Sequence, residues 1–304
     1  MTAFRSVSGA SRLFAIPATM LLVLVFVLGP LPGQVQAADV FGSLRAPGEG
    51  AFVAGHRGDA SAAPENTMPA FDRAFDGPIE FVETDVQLTK DGVPVLFHDV
   101  TLNRTTDGRG TVAEHTAAQL RKLDAGSWRG KSYAGTRIPT LDAFLARLAK
   151  SDKKALVELK FGWTVDQVRS VVALIDGHSL RSRVVLQSFS LETLANLQVA
   201  APRYPRMMLV RELPTDPVPM ARQFGVIALA TTARAVAKSP DAIGRLHEAG
   251  IGVICYTLNS KNAWSAVRDH GVDGIITDTP QDLELWLAES AKRPRPQLNI
   301  GPES

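Results

Sequence analysis

Glu83 and Asp85 stand one residue apart in the run Phe81–Val86. In a strand, residues two apart share a face, so both carboxylates point together. Two acids buried on one face repel each other unless a proton or cation neutralises them, and a hard divalent metal is the natural solution. The bland reading is a pair of solvated acids, which suits an exposed edge strand better than a central one. The same spacing returns in Glu158-Leu159-Lys160. Alone, that pair reads as a structural salt bridge. Beside Glu83 and Asp85, Glu158 would complete a three-carboxylate metal site and leave Lys160 free to meet an anion.

Two imidazoles flank these acids in the sequence. His56-Arg57-Gly58 sets a proton donor or acceptor beside a planar guanidinium fork that suits phosphate oxygens. Pro64-Glu65-Asn66-Thr67 follows and, taken singly, could simply start a helix. His98-Asp99 supplies the second imidazole, with Asp99 either orienting it or opening a turn. His115, His178, His247 and His270 fall in loops or helix ends and read as solvated, and Trp128, Trp163 and Trp264 read as packing residues. Ser188 has no His-Asp pair beside it, and nucleophile-elbow, Walker and zinc-ligand spacings are absent.

Each of these groups falls where a strand should end. Strand-like runs are Phe52–His56, Phe81–Val86, Lys154–Lys160, Val184–Ser188, Met207–Val210, Val226–Ala230, Gly252–Thr257 and Gly274–Asp278. Helical patterns alternate with them, for example Thr140–Ala149, Val165–Leu174, Leu191–Val199 and Asp241–Ala249. Thr140 and Ser190 are candidate N-caps, and Gly250 and Gly271 candidate stops. Eight strand–helix units predict an α/β fold, a (β/α)8 TIM barrel with its site at the carboxyl ends of the strands. An open doubly wound sheet is the second choice, but no glycine-rich loop follows the first strand. One run breaks the alternation. Asp91-Gly92 is a tight-turn pair, and the residues between Phe81–Val86 and Val93–His98 are too few for a parallel crossover. Val93–His98 is therefore the return arm of a hairpin that carries His98 back over the site. The polar stretch 100–137 is a small surface insertion after the second strand.

The chain has 304 residues, 45% of them hydrophobic, which is ample for a large core. Arg5 and Arg12 precede an apolar run from Ala15 to Leu28, Gly29-Pro30 breaks it, and Val35-Gln36-Ala37 offers a cleavage site. Residues 1–37 thus read as a signal peptide, and the mature protein as secreted, extracellular or periplasmic, without stable membrane insertion. The alternative, an uncleaved anchor, is short for a span of about 20 residues. Residues 38–50 read as a linker, 51–290 as the catalytic domain, and 291–304, with Pro294 and Pro296, as a disordered tail. Without Arg5 and Arg12, 31 basic side chains face 31 acidic ones, so nucleic acid is not an expected partner. The lone Cys255 sits in an apolar stretch and reads as core, which excludes a disulfide framework.

The ordered set His56-Arg57-Gly58, Pro64-Glu65-Asn66-Thr67, Glu83-x-Asp85, Thr89-Lys90-Asp91-Gly92, His98-Asp99 and Glu158-x-Lys160 resembles the glycerophosphodiester phosphodiesterase family. The likeness continues through Arg104-Thr105-Thr106, Ile138-Pro139-Thr140-Leu141, Gln187-Ser188-Phe189 and Asp273–Asp278. Tyr256-Thr257-Leu258-Asn259 departs from the tryptophan-led motif usual there. The resemblance implies that Glu83, Asp85 and Glu158 bind one calcium or magnesium ion, with Glu65 in support. It further implies that His56 and His98 are the acid–base pair, that Arg57 and Lys160 bind phosphate, and that the substrate is a small glycerophosphodiester cleaved to glycerol 3-phosphate and an alcohol. Lysophospholipid or a glycerol-phosphate wall polymer is the alternative substrate. A phosphate-binding protein on a degenerate barrel is disfavoured, because no expected histidine or carboxylate is missing.

Overall fold

The structure is a computed structural model that describes residues 35–292. The expected leader up to residue 34, and the expected tail from residue 293, lie outside the described residues.

Among the described residues nine strands form one sheet: β1 (Phe52–Gly55), β2 (Phe81–Leu88), β3 (Pro94–Leu96), β4 (Lys154–Leu159), β5 (Val184–Ser188), β6 (Arg206–Leu209), β7 (Ala228–Thr231), β8 (Gly252–Cys255) and β9 (Gly274–Thr277). All but β3 are parallel. The order runs from β1 through β9 and back by β8, β7, β6, β5 and β4 to β2, and a β1–β2 pairing closes the barrel. Apolar residues alternate between two cores, as the two-residue period requires. Phe52, Ala54, Phe81, Leu156, Val185 and Ile254 fill the lumen, while Val53, Val82, Val157, Leu186 and Val253 face the surrounding helices.

The helices start where their caps allow. Thr140 Oγ1 accepts from the Ala143 amide and Ser190 Oγ from the Thr193 amide, opening Leu141–Leu148 and Leu191–Ala200. Gly250 and Gly271 take φ of +74° and +80° just past Asp241–Glu248 and Lys261–Asp269, the left-handed turn that stops a helix.

Residues 38–50, expected as a linker, are largely exposed from Gly42 onward, but their start is packed. Ala37–Phe41 is a short helix whose Ala37, Val40 and Phe41 are buried against the amino end of the lumen. Phe41 stacks on Phe52 at 5.1 Å between centroids, and Phe52 meets Phe81 at 4.6 Å. Five residues offer too few periodic positions for a helix to be read from sequence. Their spacing, i, i+3 and i+4, is nonetheless that of one helical face.

The hairpin also stands as expected. The last residues of β2 run past the barrel and pair antiparallel with β3, Val86 opposite Leu96 and Leu88 opposite Pro94. Gly92 turns the chain with φ +75°. Val95 and Phe97 then pack with Leu102, Val112, Leu120, Ala125 and Ile138, a small core of their own. This core clamps the insertion over the hairpin, and thereby fixes the segment that carries His98.

Candidate active site

His56 and Lys160 stand one step past the ends of β1 and β4, while Glu83 and Asp85 lie within β2 and Glu158 within β4. Asp85 of β2 lies opposite Glu158 of β4, and Glu158 opposite Gln187 of β5, so the three form a row across the upper lumen. Glu83 faces the same lumen one layer deeper. One carboxylate oxygen from each of Glu83, Asp85 and Glu158 lies within 4.8 Å of the others, and all three residues are buried. Burial, with Asp85 and Glu158 nearby, pushes Glu83 well above the usual carboxylate range. Burial and the charge of Asp85 raise Glu158 to about 7, against the pull of Lys160. Burial acts on Asp85 as well, but Arg57 and Lys160 more than offset it and hold Asp85 well below its ordinary value. Asn66, at φ +52°, fixes Asp85 by donating to Oδ2 at 2.8 Å and accepting from its amide at 3.2 Å.

Two cations sit on this cluster. Lys160 Nζ lies 3.1 Å from Glu158 Oε1 and 3.4 Å from Asp85 Oδ1. Arg57 takes φ +53°, which turns it back into the lumen; its amide donates to Glu83 Oε2 at 2.9 Å and its Nη1 to Glu65 Oε1 at 2.7 Å. Arg57 Nε is 3.1 Å from Asp85 Oδ2 but is misaligned for a hydrogen bond, so this buried donor remains available to a ligand. Gly58 follows at φ +87°, and a side chain there would also run into the Ala70 backbone at 2.6 Å.

The imidazoles are each oriented from behind. His56 Nδ1 is 2.6 Å from Asp278 Oδ1, and Asn259 donates to the other Asp278 oxygen at 2.6 Å. His98 Nδ1 is 2.7 Å from Asp99 Oδ1, and Arg104 Nε donates to Asp99 Oδ2 at 2.6 Å. Gln87 Nε2 donates to the carbonyls of Phe97 and Asp99, at 2.8 and 2.7 Å, and so clamps the backbone on both sides of His98. A carboxylate on Nδ1 fixes the tautomer and leaves Nε2 for chemistry. Burial lowers the His98 pKa, which keeps the ring neutral near pH 7. The second nitrogens face a cleft of about 560 Å³ whose lining includes His56, Arg57, Glu83, Asp85, His98, Glu158 and Lys160. Phe161, Phe189, Arg211 and Tyr256 form its other wall.

All seven residues expected at the site therefore converge. Glu65, expected in support, stands behind the cations: Arg57 and Arg104 both donate to it, the latter at 2.7 and 2.8 Å. Burial alone would raise Glu65, but these arginines hold it below the usual range. Asn66, Arg104, Asn259 and Asp278 stand in motifs quoted from the sequence but, like Gln87, were given no role there, although Asp278 ends the last strand and offered that signal. Among the other histidines, His178 and His247 are tied to Asp142 and Asp273, each at 2.9 Å, and all four are half-buried and not fully solvated. Trp163 and Trp264 are core residues as expected, whereas Trp128 is exposed. Cys255 is buried and its thiol pushed up to about 12 by burial, which leaves it inert.

Residues 56–282 match the glycerophosphoryl diester phosphodiesterase family. The chain belongs to that family. A glycerophosphodiester phosphodiesterase of Caldanaerobacter subterraneus is 33% identical over 234 residues, 76% of this chain and 96% of that protein. One from Bacillus subtilis is 29% identical over 287 residues, 89% and 96% of the two chains. Among solved structures, an Oleispira antarctica phosphodiesterase in complex with its product sn-glycerol-3-phosphate superposes with a TM-score of 0.74 at 27% identity, covering 78% of this chain and 96% of that one. The Agrobacterium tumefaciens glycerophosphodiester phosphodiesterase gives 0.69 at 29% identity, over 79% and 100%. Like these relatives, this family member is a phosphoric diester hydrolase acting on glycerophosphodiesters, and its barrel is theirs. No helix among the described residues is long and apolar enough to cross a membrane.

Proposed function

We propose that this phosphodiesterase is metal-dependent, works by a His56/His98 acid–base pair, and releases glycerol 3-phosphate from small glycerophosphodiesters. The observation that carries the reading is the carboxylate cluster of Glu83, Asp85 and Glu158 set in one cleft with two imidazoles, each backed by its own carboxylate. The cluster fits a hard divalent ion, Ca2+ or Mg2+. Its three acids cannot all ionise unaided, and Gln187 Oε1 beside Glu83 is a buried oxygen without a partner among the described residues. When bound, such an ion supplies Lewis-acid polarisation of a phosphate oxygen and a template for the glycerol hydroxyl.

The chain's own residues do the rest. Arg57, through its spare Nε, and Lys160 bind the non-bridging oxygens of the diester. His98, neutral by burial, takes the proton from the attacking hydroxyl through Nε2. His56, polarised by Asp278, protonates the departing alcohol. The attacking group is either the neighbouring glycerol hydroxyl, giving a cyclic phosphate that water then opens, or water directly. A substrate lacking the 2-hydroxyl separates the two, since only direct attack by water cleaves it. The whole reading is tested with glycerophosphocholine, assayed after chelation and again after Ca2+ or Mg2+ is returned. Turnover that survives exhaustive chelation would sink it.

We further propose export by the leader 1–37. Cleavage after Ala37 keeps Val40 and Phe41, which plug the lumen, on the mature chain. The amino-terminal sequence of protein recovered outside the cytoplasm is then expected to begin at Ala38.

A further inference from the structure

The two walls of the cleft differ in how their cations are engaged. Near the carboxylate cluster, Arg57 is paired with Glu65 and Asp85, and Lys160 with Asp85 and Glu158. Across the lumen, Arg211 lines the same cleft just past β6. It is exposed and takes part in none of the ion pairs among the described residues; the adjacent Glu212 pairs with Lys238 at 3.0 Å.

Arg211 is nevertheless placed. Its guanidinium lies 5.6 Å from the centroid of the Phe189 ring, and Phe189 meets Tyr256 edge to face at 5.9 Å. Tyr256 is anchored in turn, its hydroxyl donating to the Val210 carbonyl at 3.0 Å. An aromatic wall by itself would favour a quaternary ammonium group. Here a cation already lies over Phe189 and repels a second. A guanidinium stacked on a ring keeps its N–H edge open, which is the geometry that grips carboxylate or phosphate.

The direction of the substrate follows from the functional reading above, on which this inference rests. With the diester between Arg57 and Lys160 and its glycerol hydroxyl drawn to the carboxylate cluster, the other substituent points towards β6 and β8. We propose that Arg211, seated on Phe189 beside Tyr256, is an anion subsite that takes a second acidic group, phosphate or carboxylate, on the alcohol to be released.

Two matched substrate pairs test this, each differing by one anion. Glycerophosphoserine against glycerophosphoethanolamine adds a carboxylate, and glycerophosphoinositol 4-phosphate against glycerophosphoinositol adds a phosphate. The metal-loaded enzyme is expected to favour the anionic member by about tenfold in kcat/KM, carried mainly by KM. Arg211→Met should abolish that preference and Arg211→Lys restore part of it. A preference in only one pair still supports the subsite and names its ligand as carboxylate or phosphate. Equal rates within both pairs, or a preference untouched in Arg211→Met of unchanged Tm, overturn the subsite while the phosphodiesterase reading stands. Failure of the wild-type enzyme to cleave any of the four substrates overturns that reading, and this one with it.

Discussion

Asp85 and Glu158 are direct partners in the parallel pairing of β2 and β4, and one ammonium, Lys160, lies within 3.4 Å of both. Lys160 and Arg57, the latter shared with Glu65, cannot neutralise this pair and Glu83 as well. The shortfall shows in Glu158, raised to about 7, and in Glu83, pushed well above the usual carboxylate range by burial with Asp85 and Glu158 beside it.

The sign of the pH dependence follows. Both glutamates have folded pKa values above their unfolded ones, so the metal-free fold binds extra protons and loses stability as pH rises from the unfolded value through about 7, where Glu158 titrates. Asp85 has the opposite sign: its stabilisation is lost as pH falls from the ordinary carboxylate range through its depressed pKa, on the acid side of this window. The Tm of chelated protein should therefore fall between pH 5 and 8, at a slope of at most about 1.4 kcal/mol per pH unit for each proton. Adding Ca2+ or Mg2+ should raise Tm more at pH 8 than at pH 5, with protons released on binding. Calorimetry in a chelator series checks this, and a chelated Tm that is flat over the range would count against the cluster.

His56 and His98 are expected to matter through the nitrogen that faces the cleft. Each change to alanine should lower kcat by about 10²–10⁴-fold with the fold intact. Asp278→Asn keeps a hydrogen-bonding side chain but removes the charge and can hold the wrong tautomer of His56, so kcat should fall by at least about tenfold with little change in KM. Steady-state rates on glycerophosphocholine decide it. Near wild-type turnover in both histidine variants would remove the acid–base assignment.

Much of this was legible because the barrel imposes a period of two on its strands. Glu83, Asp85, Glu158 and Lys160 can be put on one face by counting alone, and Asp91-Gly92 marks the hairpin that returns His98. What stayed hidden depends on contacts between distant segments. Glu65 follows a proline and looks like a helix start; only the fold brings it between Arg57 and Arg104, residues 8 and 39 positions away. Asp278 lies 222 positions from His56, and the two meet only because β9 pairs with β1. The Ala37–Phe41 helix was missed because its apolar face has no meaning until the open lumen above it exists.

Arg104 joins both halves of the site, holding Asp99 behind His98 and Glu65 behind Arg57. Its hydrogen bonds draw Asp99 down to about 2, so Asp99 stays ionised at any working pH. Arg104→Met should free both carboxylates, lowering kcat through His98 and raising KM through Arg57, for a combined loss of roughly tenfold or more in kcat/KM. Arg104→Lys should recover little, since an ammonium cannot reproduce the two-pronged grip. A change in KM alone would show that His98 is positioned without Arg104.

The closed amino end of the lumen allows a sharper test. A Cβ placed on Gly274 would lie 2.2 Å from the Phe52 ring, which leans across the β1–β9 pairing, stacks on Phe41 and meets Phe81 at a tilt. Phe52→Ala alone should cost about 3–5 kcal/mol by leaving a cavity. Gly274→Ala alone should cost about 1–3 kcal/mol by forcing that ring off its seat. In the double variant the added methyl occupies space the ring has vacated, so the second cost should vanish and the two effects should be far from additive. Denaturant titration of the four proteins measures the coupling. Additive losses would mean that Gly274 is set by something other than Phe52.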